Sequence, residues 1–205
     1  MTRRRTRYRS LASLQRDNWV CRACAEAGFP IESLPIVQPY AGQRAYMFGQ
    51  APGVVEGRER RPWRGDAGQR LRRWLDLDED EFYATFYCAS VTRCYPGKDP
   101  KRGDRTPDPP ERELCAFWRE WELRLIQPAL IVPVGKLAIG QLLSIKDLSC
   151  IGKSFPCHGA VAVPLPHSSG ASAWTNDPAN WKRTQVALRL IRRELAGIHR
   201  NQAER

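Results

Sequence analysis

Ala45-Tyr46-Met47-Phe48-Gly49-Gln50-Ala51-Pro52-Gly53 is the stretch whose reading decides the fold. Its first four residues are apolar without alternation, as in a strand covered on both faces. The run then breaks into a glycine- and proline-rich turn. The pattern recurs three times. Thr85-Phe86-Tyr87-Cys88 leads to Ser90-Val91-Thr92-Arg93-Cys94, and Ala129-Leu130-Ile131-Val132 leads to Pro133-Val134-Gly135-Lys136. Val161-Ala162-Val163 leads to Pro164-Leu165-Pro166-His167-Ser168-Ser169-Gly170. Helical spacing lies between the runs, at Leu114, Phe117, Trp118, Trp121 and Leu125. It returns at Trp181, Thr184, Leu188, Ile191 and Leu195, after an Asn176-Asp177-Pro178 start signal. Strands alternating with helices predict an α/β fold, a three-layer α/β/α sandwich around a central, mainly parallel four-stranded sheet. In such sheets ligands bind beyond the carboxyl ends of the strands, so the four turns form the candidate site.

The chain has 205 residues, which suits one domain. A basic N-terminal lead-in over residues 1–20, a domain over 21–198 and a polar tail over 199–205, expected to fray, are the expected divisions. A hydrophobic content of 42% and aromatics at 9% exclude a disordered chain. No apolar run reaches membrane-spanning length, and MTRRRTRYRS lacks the apolar core of a secretory signal. A cytoplasmic, nucleoid-associated location with no membrane partner is therefore expected. With no heptad repeat, a monomer is expected.

Charge points to a partner. Lys and Arg number 33 against 22 Asp and Glu, a net charge of +11, and the pI is about 9.7. Basic runs lie at Arg3-Arg4-Arg5, Arg58 to Arg64 and Arg70-Leu71-Arg72-Arg73. Arginine-rich clusters suit phosphate, which favours nucleic acid.

Seven cysteines in a chain without an export signal favour metal over disulfides. Cys21-Arg22-Ala23-Cys24 is a C-x-x-C pair, while Cys94 and Cys115 flank a long proline-rich stretch, Pro96 to Pro110, expected to be a loop. Four thiolates suit either a structural zinc or an iron–sulfur cluster. Cys88, Cys150 and Cys157 read as small buried hydrophobes.

The joint order of these motifs resembles the iron–sulfur uracil-DNA glycosylases of families 4 and 5, over roughly residues 20 to 195. The order is the C-x-x-C, Gly49-Gln50-Ala51-Pro52-Gly53, Pro62-Trp63-Arg64-Gly65-Asp66-Ala67-Gly68, Val91-Thr92-Arg93-Cys94-Tyr95-Pro96, a later Cys115, and His167-Ser168-Ser169. The resemblance implies a monofunctional glycosylase in base excision repair, acting on DNA that contains uracil or another deaminated base. It implies a 4Fe-4S cluster on Cys21, Cys24, Cys94 and Cys115, structural rather than redox-active, with structural zinc as the alternative. Gly49, Gln50, Ala51 and Ser90 then line the base pocket, with Trp63 stacking on the flipped base. His167 donates to the departing base, and Asp66 supplies the carboxylate near the sugar, with Glu56 as its rival. Asp66 also reads as a helix N-cap, with Gln69 three residues on. Arg93, Lys98, Lys136, Ser168, Ser169 and Gly170 are candidate DNA contacts, and Ala171 a candidate wedge in the gap left by the base.

Three departures from the family pattern bear on specificity. Ser90 stands where family 4 carries Asn, Ala51 where the best-known glycosylases carry Asp, and the His167 motif lacks its proline. Two alternatives stay open: a glycosylase specific for hypoxanthine or xanthine, and a non-catalytic, metal-stabilised DNA-binding module.

Overall fold

The structure, a computed structural model, describes residues 4–100, 103–170 and 172–203. In chain order its elements are α1 (Leu11–Trp19), α2 (Ala23–Glu26), β1 (Ala45–Gly49), α3 (Val54–Glu59), α4 (Asp66–Leu75), α5 (Glu79–Thr85), β2 (Phe86–Ser90), β3 (Lys98–Asp99) and β4 (Gly103–Asp104). These are followed by α6 (Pro109–Ile126), β5 (Leu130–Pro133), α7 (Lys136–Leu143), β6 (Phe155–Cys157), β7 (Ala160–Ala162) and α8 (Pro178–Ala203).

The expected α/β architecture is present. The main sheet runs β2-β1-β5-β7-β6. β1 pairs in parallel with β2 and β5, and β5 in parallel with β7, so the four apolar runs are neighbours. The expectation of four strands is corrected to five, because β6 pairs antiparallel with β7 at the edge. Phe155-Pro156-Cys157 is short and carries a proline, which hides its strand character. An edge strand is where a sheet tolerates that residue. His158 and Gly159 join β6 to β7, both with positive φ (49° and 77°), as a two-residue hairpin turn requires.

The unalternated runs have a plain physical cause. Ala45 and Met47 face a cluster with Leu71, Leu75, Phe82, Leu188 and Ile191, so α4, α5 and α8 cover that side. Tyr46 and Phe48 face Leu123, Ile126 and Ala138 of α6 and α7 on the other. Each large side chain so buried contributes about 1.5–3 kcal/mol. A third cluster joins Tyr8 and Leu14 to Cys115 and Trp118, docking the N-terminal segment on α6. Residues 199–203, read as a tail, extend α8.

The proline-rich stretch is ordered where described. β3 and β4 form a short antiparallel ladder. Beyond it Arg105 grips the buried Glu111 carboxylate through both nitrogens, at 2.6 and 2.8 Å. Pro109 and Pro110 then open α6, where missing N–H groups cost nothing. Among the described residues no helix is long and apolar enough to cross a membrane.

Candidate active site

The ends of β1 and β2, the turns that follow β1 and α3, and the loop after β7 enclose a cavity of about 530 Å³. Gly49, Gln50, Ala51, Glu56, Trp63, Asp66, Ser90, His167 and Ser169 line it, so the sequence-predicted catalytic and base-pocket residues converge. The strand ends are laced together: Val91 N–H donates to the Gly49 carbonyl at 2.9 Å, and Thr92 N–H to that of Gln50 at 3.3 Å.

Glu56 ties the two turns to each other. One carboxylate oxygen accepts from Gly53 N–H at 3.0 Å, the other from Gly65 N–H at 2.8 Å. A carboxylate so engaged positions backbone, which sets Glu56 apart from Asp66 on the same cavity wall. Glu56→Gln leaves one of these amides facing an N–H₂ group. We expect a stability loss of about 1 kcal/mol, as for a part-buried donor left without its partner, read by thermal unfolding, with displaced turns.

Trp63 occupies the left-handed region (φ 60°), uncommon for a bulky residue and typical of functional strain. Its carbonyl accepts from Arg72 Nη1 at 2.9 Å, which holds the strained turn. Its indole lies on Gly49, where any Cβ would stand 2.7 Å from Cζ2. A bare backbone at Gly49 is therefore what lets an aromatic ring floor the cavity.

His167 is half-buried, and its Nδ1 accepts the Ser169 backbone N–H at 3.1 Å, with Ser169 Oγ at 2.8 Å. A backbone N–H can only donate, so Nδ1 carries no proton and the neutral ring keeps its proton on Nε2. Burial lowers the His167 pKa below its ordinary value, favouring that neutral form. The result is a neutral donor at the cavity wall. Gly135, with φ 86° and ψ 159°, packs against this ring, and a Cβ there would stand 2.9 Å from Cδ2. That backbone region is essentially restricted to glycine, at about 1–3 kcal/mol of strain. Gly135→Ala is therefore expected to lower the melting temperature and to push His167 out of place, read by thermal unfolding and by the His167 ring resonances in NMR.

Asp66 is the first residue of α4; Gly65 is the N-cap, so the expected capping role falls away. Its exposed carboxylate has no hydrogen bond or ion pair among the described residues. Ser90 Oγ donates to the Thr92 carbonyl at 2.7 Å, leaving its lone pairs as acceptors. Sequence reasoning missed Asp104, which lines the cavity from β4 and accepts from Tyr95 Oη at 2.9 Å. Only the β3–β4 hairpin brings it there, and a two-residue ladder leaves no periodic trace.

Two expected DNA contacts are corrected. Arg93 is only 2% exposed, paired with the 1% exposed Glu122 and bonded to the Ser90 carbonyl, so no phosphate reaches it. Ser168 is fully buried, its hydroxyl donating to the Ala67 carbonyl at 2.8 Å. Lys98 is exposed on β3, outside the cavity lining. Lys136 is exposed at the start of α7, beside a neighbouring groove that it shares with Gln50, Arg112 and Lys146. Ser169 stays at the site, and Gly170 is exposed next to it. Ala171 lies outside the described residues, as does Arg3 of the first basic run. Much of the basic charge works internally. Arg72 is buried on Trp63, Arg70 donates to the Ser169 carbonyl at 3.2 Å, and Arg61 and Arg64 both pair with Glu79.

A second cavity, of about 280 Å³, is lined by Cys21, Cys24, Cys94 and Cys115, with Arg4, Asn18, Thr92 and Trp118 among its walls. Burial pushes the Cys24 thiol up to about 12, and raises Cys94 and Cys115 as well; Arg4 opposes the rise at Cys24. Buried thiols gathered in this way suit a cation-rich group that binds them as thiolates. Among the described residues, no group of three or more His, Cys, Asp or Glu side chains is arranged to hold a metal ion.

Similarity to known proteins agrees with this geometry. The chain is 27% identical over 131 residues to the type-4 uracil-DNA glycosylase of Sulfurisphaera tokodaii, covering 62% of this chain and 55% of that one. It is 28% identical over 142 residues to that of Archaeoglobus fulgidus (68% and 66%). It is 28% identical over 106 residues to that of Thermotoga maritima (52% and 52%). The matches thus span about half to two thirds of those relatives' length. The family model described as the uracil DNA glycosylase superfamily matches residues 38–191, which hold the whole of the first cavity apart from Ile36. With a match over that much of its length, the chain belongs to the uracil DNA glycosylase superfamily.

Proposed function

We propose that the protein is a DNA glycosylase that hydrolyses the N-glycosidic bond of uracil. The observation that carries this reading is a neutral Nε2–H donor, a carboxylate unpaired among the described residues and an indole on the walls of one cavity. A base inside a duplex is out of reach, so the nucleotide flips into the cavity and the base stacks on Trp63. Bond cleavage leaves negative charge on the base and positive charge on the sugar. His167 Nε2–H donates to the base oxygen and stabilises the first charge. Asp66 stabilises the second and orients the attacking water. Glu56 holds both turns in register. Water adds at the sugar carbon as the base leaves with its electron pair, and the proton that the water gives up ends on the departed base by way of solvent, so no oxidant or reductant is consumed. The exposed Lys136 and Gly170 contact the DNA beside the cavity.

The four cysteines hold a 4Fe-4S cluster in this reading. Cys21, Cys24, Cys94 and Cys115 line one cavity and would hold either this cluster or a structural zinc; the motif order shared with the iron–sulfur families favours the cluster. When bound, the cluster supplies structural cross-linking between α2, the strand β2 exit and α6.

A second substrate reading follows from Ser90. Its hydroxyl offers the cavity only acceptor capacity, which the N–H of any lactam base satisfies, in uracil, hypoxanthine or xanthine alike. Single-turnover assays on oligonucleotides with one of these bases, or cytosine, test both. Abasic product from uracil, and none from cytosine, supports the proposal. Product from hypoxanthine or xanthine alone moves the substrate class. No product from any base, with iron present, leaves a DNA-binding module.

A further inference from the structure

The cysteine cavity has a feature that its four thiols do not explain. Among the described residues, the buried side-chain polar atoms without a hydrogen-bond partner are Arg4 Nε, both amide atoms of Asn18, Thr92 Oγ1, Trp118 Nε1 and Trp174 Nε1. All but the last belong to residues lining this cavity. Leaving one such group unpaired costs about 1–3 kcal/mol, and natively buried polar groups are overwhelmingly satisfied. A wall of orphaned atoms at one cavity therefore marks something bound there. The chemistry of the atoms says what kind: an indole N–H and a guanidinium N–H can only donate, so the missing partner is an acceptor.

Local structure sets two of these donors beside a ligand and packs the third against one of them. Asn18 sits at the end of α1, fully buried, and its carbonyl accepts the Cys21 N–H at 3.0 Å. Trp118, also fully buried, is one helical turn beyond Cys115 on α6. Arg4 is pinned over the Phe117 and Trp118 rings, 5.0 and 5.9 Å from their centroids. One bond of this class already exists, from Arg93 N–H to Cys115 Sγ at 3.3 Å.

We propose that Asn18, Trp118 and Arg4 form a donor shell that hydrogen-bonds the sulfur atoms of the group held by Cys21, Cys24, Cys94 and Cys115. The proposal rests on the cluster reading above. N–H···S bonds draw electron density from sulfur, and the Arg4 charge offsets the thiolates. The shell thereby protects the cluster from loss and lets the N-terminal segment seal it. Asn18, Trp118 and Arg4 are positioning residues, outside the base cavity.

The full chain is purified anaerobically as wild type, Asn18→Leu, Trp118→Phe and Arg4→Met. Iron and sulfide content, thermal unfolding and resonance Raman spectra in H₂O and D₂O are measured for each. Arg4→Met keeps the stem packed and serves where Trp118→Phe fails to fold. We expect Fe–S stretching bands that shift between the two solvents in wild type. In the variants that shift shrinks, the bands move to higher frequency, and chelator bleaches the cluster on the order of tenfold faster. Unchanged bands and bleaching in iron-loaded variants overturn the donor shell alone. Wild type without iron and sulfide overturns the cluster reading, and the shell with it.

Discussion

His167→Ala is expected to lower kcat by about 10²–10³-fold, the usual loss for one donor at a developing anion. DNA affinity should stay within a few-fold, because the Nε2–H bond strengthens only as charge builds on the base. Single-turnover rates and DNA binding, measured together, separate the two. Acid provides an independent check. Protonating Nδ1 would set its N–H against the donating Ser169 N–H, so the active form is the neutral ring. Its folded pKa lies below the ordinary 6.5, because burial penalises the charge. The rate plateau therefore extends below pH 6.5 and falls as pH drops through the lowered value. Folding follows the same direction: the contribution of the neutral ring is full above 6.5 and is lost on acidification, since the unfolded chain binds the proton more readily. A histidine acid limb above pH 6.5 would contradict this assignment.

Glu122→Ala is expected to cost about 3–5 kcal/mol, since it strands a fully buried guanidinium without its partner. For a chain of this size the melting temperature then falls by about 6–20 °C, at ~2–4 °C per kcal/mol. Tyr46 Oη donates to Glu122 at 2.7 Å and Tyr87 Oη at 3.3 Å, so their hydroxyls lose an acceptor as well. Glu122→Gln keeps an acceptor oxygen for one of the two tyrosines and should cost less, while Arg93→Met should approach the alanine variant. Thermal unfolding of the three, with iron content, checks the order. Arg93 also touches the Ser90 carbonyl and, through its backbone, the Cys115 sulfur. The damage should therefore reach both cavities, as reduced turnover and reduced iron.

The strands were legible because burial on both faces writes itself as unbroken apolar runs, as in Ala45 to Phe48. The turns after them were legible because close approach demands glycine, as at Gly49 beneath Trp63 and Gly135 beneath His167. The cysteine set was legible only through the motif order, since Cys94 and Cys115 stand far apart in sequence. β6 was missed because Pro156 disguises it. Arg93 was misread as a surface charge because its partner lies 29 residues away on α6, and nothing local announces a buried pair. The basic run at Arg70 to Arg73 misled in the same way: Arg72 is spent on the Trp63 carbonyl and Arg70 on that of Ser169. Asp104 and the engagement of both Glu56 oxygens depend on turns that meet only in three dimensions.

The most direct test of the central claim is a crystal structure of the protein soaked with free uracil, the released product. The account predicts a pyrimidine ring in the first cavity, stacked on Trp63, with one oxygen in hydrogen-bond range of His167 Nε2 and a ring N–H on Ser90 Oγ. A well-occupied uracil bound elsewhere, or a Trp63 cavity that stays empty at saturating uracil, would contradict it.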